Sequence, residues 1–521
     1  MKKIVIGTLL VAGLLVSVVQ TQSVDTPLIT TLDFTKFDTM QDSLGLRQGK
    51  SKKLSLDAEP EYIAITSNNR TAYVSLQESN ALATIDLATA QITSLKNLGF
   101  KDHSKTGNGI DASDRDGNKI NIQNYPVLGA YMPDAIATIN IAGGTFLLTA
   151  NEGDSRDYGA AFLDESRVSS LTLDPTVFPN AAALKTETAL GRLIVSNVDA
   201  DTDGDKDADR LVAFGARSVS LWDARGNLVA DTSDMFERKT AELFPSSFNG
   251  NGTNSTFDTR SDNKGPEPEG VTTGVVDGKT FVFVGLERAG GIMVLDASLL
   301  RFKFVDYAHF VTPAANPNSG TAGDLAPEGL IFISAAQSPN GQALVVASHE
   351  VSGSVTLYSV ANTGKLTRAG RYQAEPFAFD KGVAEISAYD PNSKQLFVVN
   401  GNTGGLDVLS IADVSKPTLV KSISLAKYGR AANSVAVNNG IVAVAVEAVV
   451  KTAAGKVALL NTDGTERAPA VTVGALPDML TFTPNGQFIM VANEGEPNAD
   501  YTVDPAGSVS IINVTKALSQ R

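Results

Sequence analysis

One phrase returns seven times along the chain and limits its possible folds more than any other feature: an acid after Pro or Gly, a short apolar strand, a turn, a second apolar strand, then Glu. The copies are EPEYIAIT with AYVSLQE (Glu59 to Glu78), MPDAIATI with FLLTANE (Met132 to Glu152), EPEGVTTGV with FVFVGLE (Glu267 to Glu287) and APEGLIFI with LVVASHE (Ala326 to Glu350). VAEISAY then leads to LFVVNGN, ending at Asn402, ANSVAV leads to VAVAVE, ending at Glu447, and LPDMLTF pairs with FIMVANE, Leu476 to Glu494. Most copies add a third strand, such as ALATIDL, GGIMVLDA or GSVSIINV. Strands rich in Val, Ile and aromatics between Gly-containing turns indicate antiparallel sheet.

Repeated four-stranded sheets make a β-propeller, and a repeat lets a 521-residue chain stay one domain without thickening its core. The predicted fold is all-β, a seven-bladed propeller. The last copy stops at its third strand, so KKLSL, Lys52 to Leu56, is expected to complete the final blade and close the ring. Residues 97–131 and 153–266 break the rhythm as insertions, the longer one following the second strand of blade two. Within it GRLIVSNV and RLVAFGARSVSLWDARGNLVAD read as strands, and SDMFERKTAELFP reads as a short helix capped by Ser233 or Asp234.

Lys2 and Lys3 precede an apolar run from Ile4 to Val19, the layout of a secretory signal peptide. Residues 1–22 are therefore set apart from the propeller domain, residues 23–521, with an uncleaved membrane anchor as the alternative. The C-terminal SVSIINVTKALSQR has no apolar tail, so the mature chain is expected to be secreted, periplasmic or extracellular, with no membrane span. The absence of cysteine excludes disulfides and thiolate metal sites. A formal charge of −14 argues against nucleic acid, whose phosphates need basic patches, and suits divalent cations; a role in solubility alone is the alternative.

In an antiparallel pair, the start of the first strand and the end of the second lie at the same edge. The strand starts carry Glu61, Asp134, Glu269, Glu328, Glu385, Asn433 and Asp478; the second-strand ends carry Glu78, Glu152, Glu287, Glu350, Asn402, Glu447 and Glu494. All are expected around one mouth of a central channel, where crowded carboxylates repel and call for cations. Oxygen donors favour Ca²⁺, with other divalent metals open, and three His without Cys make a zinc site a poor fit. The alternative is that each rim acid only accepts hydrogen bonds from neighbouring blades. Asp199, Asp201, Asp203, Asp205, Asp207 and Asp209 alternate in DADTDGDKDADR, close to calcium-loop spacing, though without a distant bidentate Glu; Asp111, Asp114 and Asp116 in GIDASDRDGN form a weaker case. Among Arg115, Arg156, Arg167 and Arg288, an arginine facing a metal-lined mouth would fork onto a phosphate, and Arg156 and Arg288 are the catalytic candidates; each could equally pair with an acid. His349 is a candidate ligand or acid, with a structural role as the alternative. No Gly-x-Ser-x-Gly elbow, P-loop or dinucleotide fingerprint is present.

GIDASDRDG, YMPDAIATI, TANEGDSRDY, GARSVSLWDA, GPEPEGVT and LPDMLTFTPNGQFIMVANEGEP together resemble the choice-of-anchor I family. These secreted propellers include mesenchyme-specific surface glycoproteins and atypical bacterial alkaline phosphatases. The likeness covers roughly residues 25 to 515, and none of the family's varied C-terminal anchors is expected in this chain. The Pro-Glu-Gly copies, Pro268 to Gly270 and Pro327 to Gly329, are also similar to phytase-like propellers, an analogy of fold alone. The resemblance implies a calcium-binding propeller that is either a metal-dependent phosphomonoesterase or a non-catalytic binder of a surface polymer or mineral.

Overall fold

The structure, a computed structural model, describes residues 27–520; the signal segment expected over residues 1–22 lies outside them. Seven four-stranded antiparallel sheets dominate the fold. Their first strands are Pro60–Ile65, Ile136–Ile141, Pro268–Val276, Pro327–Ile333, Ser387–Asp390, Ala432–Asn438 and Pro477–Phe482. Each first strand packs against that of the next sheet, and Pro60–Ile65 touches both Ile136–Ile141 and Pro477–Phe482, so the row closes on itself. Sheets set radially in a closed ring are the β-propeller architecture. The sheets are held face to face by apolar side chains, as where Val74, Ala83 and Ile85 meet Met490 and Val509.

The last sheet is completed from the N-terminal side, but by other residues than expected. Ile29–Asp33 pairs antiparallel with Ser508–Asn513, Ile29 opposite Ile512 and Asp33 opposite Ser508. The Lys52 to Leu56 segment is not a strand: Lys52 has φ 54°, and Leu54–Asp57 forms a helical turn. Ser55 donates to Asp38 from both its amide and its hydroxyl, at 2.7 and 2.9 Å, and Leu54 is fully buried. The β-branched residues of ITTLD suit a ladder; the side-chain bonds of LSLD hold a turn.

At the inner ends of the first strands, local geometry repeats. The residue before the proline is left-handed in five copies: Glu59 (φ 42°), Met132 (41°), Glu267 (53°), Ala326 (57°) and Leu476 (47°). Such a conformation costs a non-glycine residue about 1–2 kcal/mol, so its recurrence marks a constrained corner. The ladder then slips register between Pro60 and Ile63, Pro268 and Val271, Pro327 and Leu330, and Pro477 and Leu480. Glu61, Glu269, Glu328 and Asp478 sit in these bulges, which re-aim a side chain out of the regular alternation. The corner carbonyl accepts the amide of the acid ending the second strand: Glu287 donates to Glu267 at 2.8 Å, Glu350 to Ala326 at 2.9 Å and Glu494 to Leu476 at 3.0 Å. Both rim acids of a sheet are thereby fixed at one edge.

The two inserted stretches meet. Phe100–Asp102 pairs with Leu128–Ala130, which pairs in parallel with Val212–Ala213, and Val168, Leu173, Phe178, Leu190 and Leu193 share a small core of their own. Ser218–Trp222 and Leu228–Asp231 return to finish the second sheet, whereas Ile194–Val195 pairs outside it with Ser166–Arg167. The expected helix is present as Met235–Leu243, but neither Ser233 nor Asp234 caps it by side chain; Asp234 instead accepts from Arg238 Nε at 2.7 Å and from the Gly109 amide at 3.3 Å. No helix among the described residues is long and apolar enough to cross a membrane.

The glycine of Pro-Glu-Gly is required by the closeness of neighbouring sheets. A Cβ on Gly270 would lie 2.1 Å from the Glu328 carbonyl oxygen, and one on Gly329 would lie 2.6 Å from that of Glu385. Gly270→Ala is therefore expected to destabilise the protein by about 2–3 kcal/mol, as overpacking against backbone does. A denaturant midpoint equal to that of the parent would contradict this tight packing.

Candidate functional site

A channel of about 740 Å³ runs where the first strands converge. Its wall includes Glu61, Asp134, Glu269, Glu328, Asn433 and Asp478 from the strand starts, and Glu152, Glu287 and Glu494 from the second-strand ends. Glu385 and Glu350 are the main charged neighbours of Glu328. Two members of the expected ring stand elsewhere: Glu447 pairs with Arg430 at 2.6 Å, and Asn402 is exposed in a turn. Glu78 is buried beside Glu61 and Glu59.

Burial sets the electrostatics, and like charge adds to it. Burial, then Glu267, pushes Glu287 up to about 8 against the pull of Arg288. Burial, then Glu350 and Asp478, raises Glu385 to about 8, and burial raises Asp478 to about 7. Glu61, Asp134, Glu269, Glu328 and Glu494 stand well above the usual carboxylate range, from burial and then their nearest acids. Glu350 is raised by burial, with Arg288 opposing. One oxygen each of Glu61, Glu269 and Glu328 is fully buried with no hydrogen-bond partner.

One sector is compensated by the protein's own cations. Lys264 bonds Glu152, which also accepts from Gln77 Nε2 at 3.0 Å, and stands 3.3 Å from Glu267. Arg260 reaches Glu267 at 2.6 Å, and Arg288 reaches Glu287 at 2.9 Å and Glu267 at 3.5 Å. Burial acts to raise Glu267, but Lys264, Arg260 and Arg288 overcome it and hold this acid below its ordinary range. Oxygens of Glu152, Glu267 and Glu287 lie within 4.8 Å of one another, a span one ion could bridge. Glu267 was not among the sequence candidates; the signal available was its place before Pro268, matching Glu59 before Pro60.

Of the candidate arginines, only Arg288 lines the channel. The expectation that Arg156 clamps a phosphate is corrected: it is 2% exposed and bonds Glu59 at 2.9 Å, the Glu78 carbonyl at 3.1 Å, the Asp57 carbonyl at 2.6 Å and Ser79 at 3.1 Å. With its fork occupied, it fastens the insertion to the first sheet. Arg167 pairs with Asp262, and Arg115 with Asp114. His349 is also corrected as a ligand or acid at the mouth. It is fully buried, burial lowers its pKa, and its charged neighbours are Asp324 and Arg371 rather than the rim acids.

The alternating-Asp loop lies outside the channel wall. Asp199 is withdrawn from it by ion pairs to Arg47 at 2.6 Å and Arg210 at 3.5 Å, a correction to its place among the expected ligands. Asp201 accepts the amides of Gly204 and Lys206, Asp203 that of Asp205, and Asp205 that of Asp207. Oxygens of Asp201, Asp203 and Asp209 gather within 4.8 Å, as do those of Asp174, Asp207 and Asp209. Asp174 is distant in sequence and carried no spacing signal.

All these donors are carboxylate oxygens, the set that suits a hard divalent ion. The buried, unpartnered oxygens of Glu61, Glu269 and Glu328 fit such a ligand. The balanced sector around Lys264 fits an anion better, since a metal there would first have to displace the ammonium.

Comparison with known proteins identifies the family of the chain. The chain is 27% identical over 277 residues to a mesenchyme-specific cell surface glycoprotein of Strongylocentrotus purpuratus, the match covering 46% of this chain and 35% of that one, about a third of the relative's length. It is 28% identical over 193 residues to gigasin-3a of Magallana gigas, covering 34% of this chain and 67% of that one. The β-propeller domain of Cps50 (Swd1) from Myceliophteria thermophila aligns over 88% of this chain and 97% of its own, at 8% identity and a TM-score of 0.43. The family model of the choice-of-anchor I domain matches residues 15–299 and 385–520, and the chain belongs to the choice-of-anchor I family.

Proposed function

We infer that this protein is a secreted, seven-bladed propeller closed by an N-terminal strand, and that the mouth of its channel binds divalent cations, calcium foremost. The observation that carries the reading is the set of buried rim carboxylate oxygens with neither a hydrogen-bond donor nor a cation, at Glu61, Glu269 and Glu328. Leaving such charges bare is costly, whereas a hard ion satisfies several at once. Asp134, Glu385, Asp478 and Glu494 extend the same acidic wall or border it. The Asp201 to Asp209 loop offers a separate, exposed calcium site. The relative's description as a cell surface glycoprotein supports an extracellular setting.

A second reading, a phosphomonoesterase, rests on Arg288 and Lys264, the cationic side chains lining the channel. Arg288 would hold a phosphate in place of Glu287, and Lys264 would stabilise charge on its oxygens. A divalent ion bound at the neighbouring acids would supply further positive charge and a polarised water. In the first reading the mouth instead holds a surface polymer or mineral through shared calcium.

Calcium titration calorimetry at pH 8 is expected to show saturable binding near 10⁻⁴ M, in the range of extracellular modules, weakened about tenfold or more in Glu269→Gln/Glu328→Gln. Equal affinity in that variant would remove the channel from consideration. The pH dependence has a fixed sign. A carboxyl whose pKa is raised by folding adds stability below its unfolded value near 4, and that contribution is lost as the pH climbs through the folded value. With Asp478 at about 7 and Glu287 and Glu385 at about 8, the chelated protein should melt lower at pH 8.5 than at pH 5.5, and calcium should restore the difference at the higher pH. A melting temperature that rises with pH in chelator would oppose this account. Hydrolysis of a chromogenic phosphate monoester separates the two readings: calcium-dependent turnover reduced about a hundredfold in Arg288→Ala supports the enzyme, being the loss expected for one phosphate clamp, and calcium binding without turnover leaves the binding protein.

A further inference from the structure

A second cavity, of about 140 Å³, adjoins the channel, and Glu287 and Arg288 line both spaces. The rest of its wall comes from three parts of the chain: Thr253 and Thr256 in the inserted stretch, Leu325 and Ala326 at the entry to the fourth sheet, and Val351 and Phe379 in the loops after that sheet's second and fourth strands. These parts are fixed against one another. Thr253 is 2% exposed, the Asn254 amide donates to the Pro313 carbonyl at 2.9 Å, and a Cβ on Gly252 would lie 2.9 Å from Leu325 Cδ2. The Asp380 amide donates to the Val351 carbonyl at 2.9 Å, which brings the exposed Asp380 to the same wall. Arg288 supplies the positive charge. It pairs with Glu287 at 2.9 Å and stands 3.5 Å from Glu267, yet its Nε makes no hydrogen bond. A guanidinium carries five N–H donors, so these two contacts leave donors for a further ligand.

We propose that channel and cavity form one two-part site for a phosphate monoester of a small, uncharged alcohol, with the phosphate on Arg288 and the alcohol portion in the cavity. The inference rests on the phosphomonoesterase reading of Arg288 and adds the substrate class to it. Volume sets the size of the alcohol. An apolar cavity of about 150 Å³ holds benzene, so a space of about 140 Å³ takes one six-membered ring or a branched chain of similar bulk, and excludes two fused rings. The wall sets its polarity. Glu287 and Asp380 repel a second anionic group, and burying any charge against Leu325, Ala326 and Val351 is costly.

The test is calorimetric titration of the full-length protein, with calcium present, by two non-hydrolysable probes. Phenylphosphonate is expected to bind about tenfold tighter than methylphosphonate or better, the gain from burying one ring. Val351→Phe, which fills the cavity, should erase that advantage and leave methylphosphonate affinity unchanged, whereas Arg288→Ala should weaken both probes. Equal affinity of the parent for the two probes, with both weakened in Arg288→Ala, would overturn the cavity's role while the phosphate clamp stands. Failure of either probe to bind the parent would overturn the clamp and the cavity together. A ring advantage that survives in Val351→Phe would place the ring elsewhere and reject the proposal. Should that variant fail to fold, 1-naphthylphosphonate on the parent decides: affinity no better than that of methylphosphonate supports a one-ring cavity, and affinity matching or exceeding that of phenylphosphonate rejects it.

Discussion

The seven first strands share one axis, and how closely they approach it is the constraint on which the rest of the structure depends. At Gly270 the approach is near enough to exclude a methyl group, because the Glu328 carbonyl occupies its place. Glu61, Glu269, Glu328 and Asp478 sit in bulges behind left-handed corners, and three corner carbonyls hold the amides of Glu287, Glu350 and Glu494. These carboxylates cannot splay apart without breaking backbone hydrogen bonds. Repulsion at the mouth is therefore built into the fold, and it has to be relieved by protons, by basic side chains or by ions.

Relief is unevenly distributed. Around Glu152, Glu267 and Glu287 the protein supplies Lys264, Arg260 and Arg288, and this sector is balanced from within. Around Glu61, Asp134, Glu328, Glu385 and Asp478 no salt bridge to a basic side chain forms among the described residues, and raised pKa values record the imbalance. The mouth therefore has a side that attracts cations and a side where an anion could exchange for a glutamate. A ligand carrying phosphate or carboxylate together with a divalent ion would match both sides at once, a requirement shared by the enzymatic and the binding readings.

The repeat was legible because its unit is local: strand, turn and strand fall at a fixed spacing, and the first two strands of each sheet coincide closely with the segments read from sequence. The closing strand was not, since Ile29–Asp33 and Lys52 to Leu56 both look extended when read alone. Only the Asp38 bonds to Ser55 and the partner ladder at Ser508–Asn513 tell them apart. The rim acids were legible for the same periodic reason. What escaped was pairing across long separations. Arg156 meets Glu59, Asp199 meets Arg47, and Asp174 approaches Asp207, none of them linked by a spacing in the sequence.

These long-range pairs give the interruption in the second sheet a physical meaning. Duplication of one unit can multiply acids at the mouth, but the same duplication cannot supply their counter-charges, because every copy brings the same sign to the same place. In the balanced sector Arg288 sits beside Glu287 within the repeat, and the other two cations arrive from outside it. Arg260 and Lys264 come from the inserted segment, which Arg217 holds by its backbone carbonyls and Arg156 fastens to the first sheet. The insertion is thus the part of the chain that makes one sector of the ring different from the others, and a symmetric architecture acquires a polar, oriented mouth through it.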